Sequence, residues 1–111
     1  MITITDEYMQ EMIGKTKNYC IVILKPGPNF NTENARQVIW EHGRRNFSLK
    51  AEGLLPIVCP VPGNSGINGV GIFTSTEEET KKIMDGDPGV QEGIFIYEIH
   101  PCRSFPGDYL P

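Results

Sequence analysis

The chain has 111 residues, 39% of them hydrophobic and 22% charged, with a formal net charge of −4. These are the proportions of one ordinary globular domain with a modest core, which excludes disordered, collagen-like and coiled-coil classes. The acidic balance also argues against a phosphate-binding surface, so nucleic acid is not an expected partner.

Cys20, Cys59 and Cys102 are odd in number and lack CxxC spacing. That pattern argues against a disulfide framework or a structural zinc site and predicts reduced thiols in a cytoplasmic protein. The apolar runs are strand-length, and the N-terminus carries Asp6, Glu7 and Glu11 instead of a basic stretch. Neither an export signal nor a membrane span is expected.

Residues 5–14 read as a short amphipathic helix. Thr5 is its N-cap, Asp6 and Glu7 occupy the first turn, and Tyr8, Met9, Met12 and Ile13 form the apolar stripe. The run Tyr19-Cys20-Ile21-Val22-Ile23-Leu24 is apolar on both alternating faces, which predicts a central strand covered on two sides. Pro26-Gly27-Pro28-Asn29 ends it. Asn31 or Thr32 then opens the longest helix, running to about Glu52 with Gly53 closing it. Its polar arc holds Gln37, Glu41, Arg44, Arg45, Ser48 and Glu52, with Glu41 and Arg45 as an i,i+4 pair; His42 falls on the apolar side. Gly43 is costly inside a helix, by about 1 kcal/mol, and calls for a reason such as close approach of another backbone or a ligand.

Leu54 to Val61 predicts an edge strand, because Pro56, Pro60 and Pro62 cannot donate ladder hydrogen bonds. After a Gly-rich loop, Gly69 to Thr74 returns as a strand. Ser75 or Thr76 caps a second helix, with Glu77, Glu78 and Glu79 in its first turn, ending before Gly86. Asp87-Pro88-Gly89 predicts a turn, Gly93 to His100 the last strand, and residues 101–111 a tail packed over the body. After the extra first helix the order is βαββαβ. With right-handed crossovers this is an α+β, ferredoxin-like split βαβ arrangement. Its second apolar sheet face predicts a homodimer that joins two sheets into a barrel.

The residues that carry chemistry form a spaced set: His42, Gly53-Leu54-Leu55, Pro60 and Pro62, then Asp87-Pro88-Gly89-Val90-Gln91-Glu92-Gly93. In these residues and gaps the chain resembles the YCII-related domain family of the dimeric α+β barrel superfamily, over residues 19–105. Residues 1–18 would be an N-terminal helical extension and 106–111 a C-terminal tail. The resemblance implies a small enzyme with His42 and Asp87 facing a pocket between the helix ends and the sheet. Relatives include enzymes of aromatic catabolism that eliminate chloride or shift protons. Asn46, Pro60 and Asn68 are the expected substrate-binding residues. Cys59-Pro60 departs from the family's usual Gly-Pro, and the loop after that strand carries Asn64, Ser65 and Asn68 in place of an acid found in some relatives.

A neutral imidazole beside a carboxylate can take a proton and be re-supplied by solvent, which is what an isomerase or lyase needs. The competing reading makes His42 a hydrogen-bonded core histidine and Asp87 a turn-capping residue. His100 shares a strand face with Glu98, but with His42 it finds no third ligand of convincing spacing, so no metal is expected. No serine lies in a nucleophile elbow, no cysteine opens a helix, and Gly63, Gly66 and Gly69 lead into a strand instead of a helix. Covalent catalysis, a nucleotide site and any other cofactor are therefore not expected. The expected function is cofactor-independent proton transfer on a small organic, aromatic-derived substrate. The alternative is a non-catalytic small-molecule-binding or regulatory module on the same fold.

Overall fold

Strand β1 (Lys17–Pro26) is the spine of the molecule, and its alternation of buried and half-buried residues sets both faces of the sheet. A computed structural model describes residues 1–111. The elements before and after β1 are α1 (Asp6–Gly14), α2 (Ala35–Ala51), β2 (Ile57–Pro60), β3 (Gly69–Phe73), α3 (Glu77–Asp85), α4 (Pro88–Gln91) and β4 (Phe95–Ser104). The strands form one antiparallel sheet in the order β2-β3-β1-β4. With the two long crossovers this is the ferredoxin-like arrangement, with β1 central and the proline-bearing β2 on an edge.

Because side chains alternate along a strand, the register assigns every residue a face. Cys20, Val22 and Leu24 stand beside Phe73, Gly71 and Gly69 on one side and Pro101, Ile99 and Tyr97 on the other. This face is covered by helices, and with Ala35, Leu49, Leu55, Met84, Ile94 and Phe95 it makes the core. The opposite face presents Ile21, Ile23, Val70 and Ile72, half-buried and with no layer above them in the single chain.

Four departures from the sequence expectation have a clear physical cause. Helix α2 starts at Ala35, not at Asn31 or Thr32, because residues 27–34 close a series of tight turns and the Thr32 hydroxyl donates to Asn29 O and Asn34 Oδ1 instead of capping a helix. Strand β2 starts at Ile57, since the N–H groups of Leu54 and Leu55 both donate to Leu49 O and finish α2. Asp87-Pro88-Gly89 opens a short helix, not a simple turn: Asp87 is its N-cap and Pro88, which has no N–H to lose, its first residue. Strand β4 runs on to Ser104, because Lys17 to Cys20 pair with Ser104 to Pro101. What remains as a tail, residues 106–111, is exposed and does not pack over the body.

Helix α1 follows the sequence closely. Thr5 Oγ1 accepts from Tyr8 N at 3.1 Å, and Asp6 and Glu7 sit in the first turn.

Candidate active site

His42 lies in the middle of α2, on the side turned to the sheet, with its ring 4.9 Å from the Phe95 ring. Its Nδ1 is 2.9 Å from both carboxylate oxygens of Asp87. Asp87 is 1% exposed and built into the start of α4, where Oδ2 accepts from Gly89 N at 2.9 Å and Val90 N at 3.3 Å. Gly89 has to be glycine for this: a Cβ there would stand 2.6 Å from the Phe95 ring and 2.9 Å from Asp87 Oδ2. Asp87 is thus both a cap and a histidine partner, two roles that the sequence leaves as alternatives.

The tautomer of His42 follows from its neighbours. Asp87 meets backbone N–H donors on one oxygen and the Arg45 guanidinium, 3.8 Å away, near the other. Its oxygens act as acceptors throughout, so Nδ1 carries the hydrogen and donates; in the neutral imidazole Nε2 then holds the lone pair. Asn46, one helical turn on, places its amide nitrogen 3.2 Å from Nε2.

Arg45 departs from the sequence reading. It does not pair with Glu41 on a solvated arc; Glu41 instead accepts from Arg44 Nε at 3.1 Å, and Arg45 is half-buried with its Nη1 turned toward Asp87 and holding no hydrogen bond. A buried carboxylate draws the nearest long cation inward, because an unpaired charge in a poorly solvated site is costly.

A cleft of about 370 Å³ is bordered by His42 and by Asn46, whose amide meets Nε2. His42, Asn46, Pro60 and Asn68 all line it, so four of the five expected site residues share one space. Asp87 does not line it and stands behind the imidazole. The apolar walls are Leu24, Ile39, Phe47, Val58 and Phe95. Asn68 Oδ1 is buried with no hydrogen-bond partner. Lys50, whose ammonium donates to Pro56 O at 2.8 Å, and the exposed Cys59 complete the lining. Lys50 was legible in the sequence as the third member of a four-residue spacing, His42, Asn46, Lys50, along one helix face. Phe95 reaches the cleft only through the sheet register, which sets Cys59 opposite Val70 and turns its side chain to the other face.

His100 is remote from this space. It points to the opposite sheet face, where its Nε2 is 3.2 Å from Glu98 Oε1 and Glu98 also pairs with Lys25. These partners hold the Glu98 carboxyl below its ordinary value, the Lys25 contact foremost. No third His, Cys, Asp or Glu gathers with the His42–Asp87 pair.

A solved enzyme shares this fold. The structure of 5-chloro-2-hydroxyhydroquinone dehydrochlorinase from Burkholderia phenoliruptrix AC1100, in complex with 2,5-dihydroxybenzoquinone, matches 74% of this chain and 90% of its own length, with a TM-score of 0.54 and 13% sequence identity. At that identity the likeness is one of fold. The chain has an α+β, ferredoxin-like architecture, the fold it shares with that enzyme. No protein-family model matches the sequence, and no curated protein matches it.

Proposed function

We propose that the chain is a cofactor-independent enzyme of lyase or isomerase type, a YCII-related protein in which His42 moves a proton on a small hydroxylated ring. The observation that carries this reading is the oriented pair: His42 borders the cleft while Asp87, which does not, accepts at its Nδ1. A core histidine needs only satisfied nitrogens. This one also borders a space of ligand size, shared with the Asn46 that meets its Nε2, with a buried acceptor without a partner and with a lysine.

In this reading Nε2 accepts a proton from a ring hydroxyl or an acidic C–H, and the imidazolium that forms is stabilised by Asp87 across the 2.9 Å contact. The electron pair left behind enters the ring. In a tautomerisation the same proton returns to another ring atom; in an elimination it returns to the halogen-bearing carbon, a second ring hydroxyl then gives up its proton, and the halide leaves with the carbon–halogen bonding pair to give a quinone. Asn46 gives up its contact with Nε2 when substrate arrives and is free to donate to a substrate oxygen. Lys50 offers a positive charge to a developing oxyanion, and Asn68 Oδ1 accepts from a substrate hydroxyl. The substrate class, a hydroxylated and halogenated quinol, is supported by what the structural neighbour acts on. The open sheet face supports assembly as a homodimer, and the free cysteines suit a reducing, cytoplasmic setting.

The test is turnover of halogenated hydroxyquinols by the wild type, His42→Ala and His42→Asn, with a melting curve for each. Both variants should stay folded and lose about 10²–10⁴-fold in kcat, the usual worth of a positioned acid or base. Activity loss that tracks unfolding would make His42 a core residue. Ligand binding with no His42-dependent turnover would make the protein a binding module.

A further inference from the structure

We propose that helix α1 is an exchange arm: it docks on the outer face of α2 of a second copy of this chain, in the groove lined by Arg36, Trp40, Gly43, Arg44 and Phe47. This inference does not depend on the chemistry of the His42–Asp87 pair.

The arm packs little of its apolar stripe in its own chain, where only Met12 is half-buried. No residue of α1 is buried, and Tyr8, Met9 and Ile13 on its apolar stripe are exposed, with Ile2 and Ile4 ahead of them. An amphipathic helix of nine residues is marginal in water without a surface for its apolar face. The arm also lengthens the molecule. The radius of gyration is 16.3 Å and the longest extent 55 Å, against roughly 13 Å for a compact chain of this length. It cannot easily fold back, because only Lys15 and Thr16 separate it from β1. Thr16 is pinned there, its Oγ1 accepting from Arg103 Nε at 3.0 Å and Nη2 at 2.7 Å.

The groove has the complementary properties. Trp40 is 66% and Phe47 74% exposed, and with Ile39, Gly43 and the two arginines they bound a space of about 450 Å³. Gly43 would cost about 1 kcal/mol in the helix interior, and a Cβ there would meet nothing within 4 Å in this chain. Whatever uses that absent side chain comes from outside. Residues 36, 40, 43, 44 and 47 fall on one face of α2 spanning about 17 Å, close to the roughly 13 Å length of α1. The charges are opposite in sign as well: Glu7 borders one side of the α1 stripe and Asp6 the other, with Arg36 at the groove, while Glu11 and Arg44 exchange their own-helix partners Lys15 and Glu41 on docking. Ile39, Gly43 and Phe47 line both this groove and the His42 cleft, so a seated arm would stand at the mouth of the partner's site.

Trp40 is the chain's single tryptophan and reports on the groove directly. In the full-length protein at micromolar concentration its emission should be blue-shifted and protected from acrylamide, and both effects should fade on dilution. Met9→Asp combined with Met12→Asp, in the arm, should shift Trp40 to the red and remove its protection. Adding copies that carry Trp40→Phe and an intact arm should restore the blue shift of the doubly substituted copies, which only an arm from another molecule can do. An exposed Trp40 in the wild type whatever the concentration would overturn the proposal. So would arm substitutions that leave its emission unchanged, or a blue shift that the intact-arm copies fail to restore.

Discussion

His42 and Asp87, 45 residues apart in the chain, meet with Nδ1 2.9 Å from both carboxylate oxygens. Asp87 →Asn tests what that contact does. An amide in this place would turn its oxygen to the Gly89 and Val90 N–H groups and its NH2 to Nδ1, so the imidazole hydrogen would move to Nε2 and the lone pair there would be lost. The variant should stay folded and lose about 10²–10⁴-fold in kcat. Nitrogen NMR of the His42 ring should show the tautomer exchanged. An unchanged tautomer with unchanged turnover would remove Asp87 from the mechanism and leave it as the α4 cap.

Asn68→Leu separates ligand recognition from folding. The backbone of residue 68 is fixed by its N–H to Leu24 O at 2.7 Å and by the N–H of Val61 donating to its carbonyl at 2.9 Å, both independent of the side chain. Its buried Oδ1 has no partner, so replacing it by an apolar group should leave the melting temperature unchanged or raise it. Affinity for a hydroxylated ligand should fall by about 3–10-fold, the worth of one net hydrogen bond of about 0.5–1.5 kcal/mol. Lower stability with unaltered affinity, read by calorimetric titration, would assign Asn68 to structure alone.

Tyr97 gives a prediction at alkaline pH. Its hydroxyl donates to Asp85 at the end of α3, and burial together with that carboxylate pushes its pKa up to about 12. A raised pKa means that the neutral phenol is favoured by folding. The contribution is therefore complete below about pH 10 and is lost as pH rises toward 12. The melting temperature should drop more steeply over that interval in the wild type than in Tyr97→Phe. Parallel curves for the two proteins would mean that the contact does not couple to folding.

Ile21, Ile23, Val70 and Ile72 share the sheet face that no helix covers. Sedimentation should give a dimer at micromolar concentration, and Ile72→Asp should shift it toward the monomer by placing a charge in the joint. A wild type that sediments as a stable monomer would show that this face needs no partner.

The sequence by itself determined the order of the four strands and of α1, α2 and α3, the α+β class and the central position of β1, because these rest on periodicity and on residues with strong local rules. Alternating apolar runs, Thr5 and Thr76 as caps and the prolines of β2 act over a few residues and act the same way in any context. It also placed His42 on the apolar side of its helix, and it singled out Asp87, Asn46, Pro60 and Asn68. Tertiary structure decided what those residues meet. Whether Asp87 caps, pairs or does both depends on α4 being brought against α2. Arg45 turns inward, away from Glu41, because a buried carboxylate lies on that side. The exposure of Trp40 and Phe47 follows from how α2 is rotated against the sheet. Contacts between distant segments cost loop entropy and are settled by packing and charge compensation, which no local window of the sequence contains.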